Sequence, residues 1–142
     1  MTATKAKRSE LGGLIDGRSD DEIVQGALEM GVENVLGPIF DGMRHAFMPK
    51  KAKGESAVLQ YDVEVGGATF TYQVKVHRGI CTTTRDGCEP ARLTIAAKLP
   101  DFLRLVAGKI HGVEAFLTGK VKLTGEMLLA PKMQSWFLKP GE

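Results

Sequence analysis

The clearest periodic signal in the chain lies between Val32 and Phe47, where Val32, Val35, Leu36, Ile39, Phe40, Met43 and Phe47 recur at steps of three and four. That spacing gathers them into one apolar stripe on a helix of about four turns, with Glu33, Asp41, Arg44 and His45 off the stripe. Pro38 falls inside the pattern and is expected to bend the helix or divide it in two, since proline withholds an amide from the carbonyl four residues earlier. Pro49 ends the helix, and Lys50, Lys51 and Lys53 are expected in a solvated loop. Upstream, Ser19-Asp20-Asp21-Glu22 has the spacing of a capping box, with acidic residues suited to the positive end of a helix dipole. A first helix is predicted from there to about Met30, with a break at Gly31.

The period then changes to two. Ala57, Leu59, Tyr61, Val63 and Val65 alternate with Val58, Gln60, Asp62 and Glu64; after Gly66-Gly67, Phe70, Tyr72, Val74 and Val76 alternate with Thr69, Thr71, Gln73 and Lys75. Two adjacent glycines between alternating runs predict a hairpin, and one oily face per strand predicts an antiparallel sheet covered on one side. Ile80 to Thr84 and Arg92 to Lys98 read as a third and a fourth strand, divided by a turn at Asp86-Gly87. The helical period returns at Leu99, Phe102, Leu103 and Val106, with Pro100 suited to a first turn and Gly108 to a stop. Val113 to Leu117 predicts a short helix, and Val121 and Leu123 a fifth strand. A closing helix from near Gly125 would carry Met127, Leu128, Met133, Trp136 and Phe137.

The last third of the chain, LPDFLRLVAGKIHGVEAFLTGKVKLTGEMLLAPKMQSWF, resembles the sterol-binding domain of the sterol carrier protein type 2 family. Asp101, Phe102, Gly108, Ala115, Phe116, Gly119, Lys120, Gly125 and Phe137 stand where that family's pattern places such residues, and a weaker match continues upstream over roughly 20 to 138. The resemblance implies an α+β fold with a five-stranded, largely antiparallel sheet covered on one face by helices. It also implies a tunnel between sheet and helices that takes sterols, fatty acids, fatty acyl-CoA or phospholipids. On that basis Phe40, Met43, Phe47, Leu103, Val106, Phe116, Met127, Leu128, Met133 and Trp136 are candidates for the tunnel lining. Gln73, Thr94 and Gln134 are candidates, by side-chain type alone, for polar groups at its mouth. Two features depart from the family pattern. Lys98-Leu99-Pro100 stands where many relatives cap the helix with Ser, Thr or Asp, and Pro131 falls inside the closing helix, which must kink or start near it.

Composition narrows the picture further. At 142 residues the chain fits one domain, read as an N-terminal arm over 1–18, broken by Gly12, Gly13 and Gly17, and a single domain over 19–142. With 19 Lys and Arg against 17 Asp and Glu, the net charge of +2 lacks the basic excess of a nucleic-acid binder. Cys81 and Cys88 match no disulfide framework or zinc spacing and read as ordinary reduced thiols. No signal peptide, membrane-length apolar run or SKL-type address is apparent, so a cytoplasmic protein is expected. His45, His77 and His111 read as surface residues, and no nucleophile, phosphate loop or metal spacing is evident. No cofactor and no catalysis are expected: the chain is read as a non-catalytic carrier of a lipid, sterol or fatty-acyl ligand, with transient membrane or enzyme contact. The alternative is an accessory module that presents substrate or dimerises within a larger enzyme system; a small enzyme acting on an apolar substrate ranks third.

Overall fold

The capping box at Ser19 forms. In the computed structural model, which describes residues 15–138, the Ser19 hydroxyl accepts from the Glu22 amide at 3.2 Å and the Glu22 carboxylate accepts from the Ser19 amide at 3.1 Å. Helix α1 (Asp20–Met30) follows. Gly31, at φ 91°, turns the chain directly into α2 (Val32–Ala46), and the Asn34 side chain donates to the Met30 carbonyl across that turn. α2 runs through Pro38 as one helix rather than dividing there. Val35, Leu36 and Phe40 are buried on either side of the proline, so tertiary packing holds both turns in line despite the missing bond. The lysine-rich segment is partly helical: Pro49 opens a single turn, α3 (Pro49–Ala52), whose Ala52 is buried while Lys50 and Lys51 face solvent. Of the N-terminal arm, residues 1–14 lie outside the described residues, and Ile15 is buried.

Five strands follow the predicted alternation: β1 (Ala57–Val65), β2 (Ala68–His77), β3 (Ile80–Arg85), β4 (Leu93–Lys98) and β5 (Val121–Gly125). Gly66 and Gly67 both have positive φ, at 56° and 88°, as a tight hairpin between right-twisted strands requires. The sheet order is β3-β2-β1-β4-β5. Three pairings are antiparallel, but β1 and β4 are parallel, with Leu59 opposite Leu93, so the sheet is mixed. Residues 86–92 therefore pass from one end of the sheet to the other instead of forming a hairpin. Gln73 anchors this crossing by donating to the Glu89 carbonyl at 2.8 Å and accepting from the Glu89 amide at 3.2 Å.

The inward sheet face packs on α2, on α4 (Leu99–Val106) and on the C-terminal segment. Phe40 is the aromatic centre of that core. Its ring stacks on Tyr72 at 4.3 Å and on Phe102 at 5.6 Å, and meets Tyr61 edge-on at 5.4 Å. The short α5 (Gly112–Leu117) leads into β5. The closing helix is shorter than its sequence pattern indicated. α6 spans only Leu129–Gln134, Met127 and Leu128 form a turn before it, and Trp136 and Phe137 come after it. Pro131 is the third residue of α6, in the first turn, where backbone amides lack intrahelical partners anyway, so no kink is needed. Beyond α6 the chain pairs with the end of α2. Met48 donates to the Trp136 carbonyl, Leu138 donates to the Ala46 carbonyl, and the Phe47 and Phe137 rings lie 5.6 Å apart.

Candidate functional site

The apolar stripe of α2 serves two surroundings. Val32, Val35, Leu36 and Phe40 are sealed in the core, whereas Pro38, Ile39, Met43 and Ala46 border a cavity of about 680 Å³. Its floor is the sheet, through Tyr61, Ile95, Val121 and Leu123. Phe102, Leu105 and Val106 of α4 close one side, and Met127, Leu128, Met133, Gln134 and Phe137 of the C-terminal segment close another. Val113 and Phe116 of α5 stand at the rim. Val113, Met127 and Leu128 are also among the more exposed large apolar residues of the molecule, at 67%, 45% and 87%. The cavity thus opens to solvent where α5 meets the turn before α6. None of the described lining residues is Asp, Glu, Lys or Arg; the polar side chains are those of Tyr61, His111 and Gln134. This volume and lining lie within the range of sites for small apolar molecules.

Six of the ten residues singled out from the sequence line the cavity: Met43, Val106, Phe116, Met127, Leu128 and Met133. The other four do not. Phe40, Leu103 and Trp136 are consumed by close packing and are essentially inaccessible, and Phe47 turns aside to pack on Phe137. Among the polar candidates, Gln134 borders the cavity. Gln73 sits on the opposite sheet face, where its amide is occupied by Gln60 and Glu89, and Thr94 alternates with the inward-facing Leu93 and Ile95. The sequence reading overlooked Ile39, Tyr61, Ile95, Phe102, Leu105, Val121 and Leu123 as lining residues. For the strand residues a signal existed: all fall on the inward side of the alternation. His111, read as a loop residue, borders the opening.

His45, His77 and the two free cysteines do not border the cavity. His45 is bonded to the Asp41 carbonyl and His77 to the Ser56 hydroxyl. Burial pushes the Cys81 thiol up to about 11, which keeps it protonated and a poor nucleophile. Among the described residues no group of three or more His, Cys, Asp or Glu side chains is placed to hold a metal ion, and no helix is long and apolar enough to cross a membrane.

A charged cluster fastens the cavity's C-terminal wall. Arg92 donates to Glu55 at 3.1 Å and to the Ser56 carbonyl at 2.6 Å and also binds Glu126, while Lys132 of α6 reaches Glu55 at 3.3 Å. The hydrogen bond from Arg92, then that from Lys132, holds the Glu55 carboxyl below its ordinary value of 4.5. A lowered folded-state value means that this tie stabilises the fold above pH 4.5 and is lost as the pH falls through the folded value. An acid titration followed by Trp136 emission is therefore expected to show loosening below pH 4.5, with a smaller pH-dependent amplitude in Glu55→Gln, where the carboxylate tie is absent at every pH. An identical acid limb in the two proteins would remove Glu55 from the tie. Glu22, held low by the Ser19 amide, supplies a separate acid-sensitive contact that the variant leaves in place.

Comparison with known proteins agrees with this architecture. The sequence profile of the SCP-2 sterol transfer family matches residues 44–138. Sterol carrier protein 2 of Homo sapiens is 40% identical over 76 residues, covering 54% of this chain and 14% of that protein. Its counterpart from Oryctolagus cuniculus is 38% identical over 77 residues, with the same shares. The chain thus spans about 14% of the length of the curated relatives it matches. Among solved structures, sterol carrier protein 2 like 2 from Aedes aegypti superimposes with a TM-score of 0.60 at 20% identity, over 75% of this chain and 95% of that one. The palmitated form of that protein gives 0.60 at 17% identity, over 73% and 96%. The stereoselective inverting sec-alkylsulfatase from Pseudomonas sp. gives 0.61 at 20% identity, over 74% of this chain and 17% of the enzyme. With more than half of its length matched by the family's profile, the chain belongs to the SCP-2 sterol transfer family.

Proposed function

We propose that this protein carries a long apolar ligand, a sterol or a fatty-acyl chain, in the cavity between sheet and helices and releases it chemically unchanged. The observation that carries the reading is the cavity itself: about 680 Å³, open to solvent, and lined without an Asp, Glu, Lys or Arg side chain. The palmitated state of the Aedes aegypti relative adds support for an acyl-chain guest.

The driving force is transfer of hydrocarbon out of water, about 25 cal/mol per Å² of apolar surface removed. Ordering and association offset several kcal/mol of it, so affinities of micromolar order are expected. Apolar walls discriminate single methylenes weakly, so selectivity among chain lengths should be loose.

Native mass spectrometry of freshly purified protein is the direct test, since it reports bound lipid and its stoichiometry together. Met43→Trp, which projects a larger ring from α2 into the cavity, is expected to lower fatty-acid affinity by about tenfold or more with less than about 2 kcal/mol lost in stability. Unchanged binding by a folded Met43→Trp protein would move the ligand out of this cavity.

A second reading has its own support. The segments that match this chain make up 14% of the curated relatives and 17% of the sec-alkylsulfatase, so such a domain also occurs as a small part of much longer chains. In such a setting the cavity would present an apolar substrate to an enzyme. A stable complex with a partner enzyme, formed without ligand uptake, would favour that role over carriage.

A further inference from the structure

Within the apolar lining one polar atom stands out. Tyr61 lies on β1, the central strand of the sheet, and its ring is fixed by Phe40 at 5.4 Å and Phe102 at 6.1 Å. The residue is only 6% exposed, yet its hydroxyl has no hydrogen-bond partner among the described residues. No side-chain oxygen or nitrogen there is both sealed off and unpaired, so the Tyr61 Oη must face open space. The open space that Tyr61 borders is the cavity. A hydroxyl left without a protein partner at the wall of an apolar cavity is available to a ligand or a water. A rigidly held ring makes this hydroxyl a fixed anchor rather than a mobile one.

The surroundings define what the anchor can accept. Burial holds the phenol above its usual range, so it is neutral and can both donate and accept. No lysine or arginine lines the cavity, and its other titratable lining group, His111, stands at the opening beside exposed residues. An ionised carboxylate brought to Tyr61 would be desolvated with no countercharge. A hydroxyl or carbonyl would exchange hydrogen bonds with water for one with Tyr61 at a modest net gain.

Resting on the carrier reading above, we infer that the Tyr61 hydroxyl is the inner polar anchor of the cavity. It receives a neutral hydroxyl or carbonyl end that enters first, with the hydrocarbon trailing toward Met127 and Leu128. An ionised fatty acid, by contrast, enters tail first and leaves its carboxylate near His111 and Gln134.

The test uses the full chain and displacement of a neutral fluorescent dye, Nile red, by 1-hexadecanol, hexadecane and palmitate, in wild type and in Tyr61→Phe. Wild type is expected to prefer 1-hexadecanol to hexadecane by about tenfold, as one buried hydrogen bond allows. Tyr61→Phe should erase that preference by weakening 1-hexadecanol alone, with hexadecane and palmitate within about twofold of wild type. Because the lost hydroxyl has no protein partner, the thermal midpoint should hold or rise, which separates anchoring from packing. A retained alcohol preference in Tyr61→Phe overturns the anchor while leaving the cavity reading intact. A tenfold loss of palmitate overturns the neutral-end assignment. If none of the three displaces the dye from wild type, both readings fall together.

Discussion

Replacing Phe40 with alanine is expected to lower the unfolding free energy by about 4 kcal/mol, the middle of the range for removing a buried phenylalanine. The residue is 1% exposed and touches three other rings, Tyr61, Tyr72 and Phe102, so truncation opens a void that α2 and the sheet cannot easily close. For a domain whose total stability is about 5–15 kcal/mol, this is a large share. The thermal midpoint should fall by roughly 10–20 °C. Palmitate affinity of the folded fraction, which does not call on the Tyr61 hydroxyl, should change much less, because Phe40 supports Tyr61 and Phe102 from behind and does not itself border the cavity. The opposite outcome, a loss under about 1 kcal/mol with a marked fall in affinity, would put Phe40 on the cavity wall and refute the packing described here.

Gly125→Ala is expected to cost about 3 kcal/mol by a different route, combining backbone strain with a steric clash. Gly125 ends β5 opposite Leu93 at φ 103°, and an added Cβ would stand 2.5 Å from the Arg92 carbonyl oxygen and 3.4 Å from the Leu93 Cα. Both are backbone atoms at the start of the adjoining β4, so relief requires moving that strand. The next residue, Glu126, donates its amide to that Arg92 carbonyl and its side chain binds the Arg92 guanidinium, so the same shift loosens the cavity's C-terminal wall. Gly119→Ala is the control. Gly119 also has positive φ, 78°, but nothing lies within 4 Å of the added carbon, so only the conformational cost of about 1 kcal/mol remains. Denaturant midpoints for the two variants should therefore differ. Equal losses would show that the approach of β4 to Gly125 is not as close as described.

Most of the element types were legible because their causes are local. Ser19 and Glu22 are three residues apart and cap α1 without help from the rest of the chain. Gly66-Gly67 supplies the positive φ angles of its hairpin wherever the sheet lies. The β1 and β2 alternation separates an inward face from an outward one before any partner is known. Family membership was legible in the ordered glycines and aromatics of residues 99–137. Element boundaries were less so. Met127 to Phe137 reads as one apolar helix, but the chain after Gln134 leaves the helix to pair with the end of α2, a bond between segments distant in sequence.

What the sequence determined by itself is which side of each helix and strand avoids water, where the chain turns, and the family those features share. Tertiary structure alone decided that β4 lies parallel beside β1 rather than next to β3, and which apolar residues fill the core and which border the cavity. Phe40 and Met43 occupy one stripe three residues apart, yet the first is enclosed by aromatic rings and the second faces open space. Hydrophobic periodicity records only that a side chain leaves water. Whether it then meets another side chain or a gap depends on how far apart the opposing layers are held, and that distance is set by contacts far away in the chain.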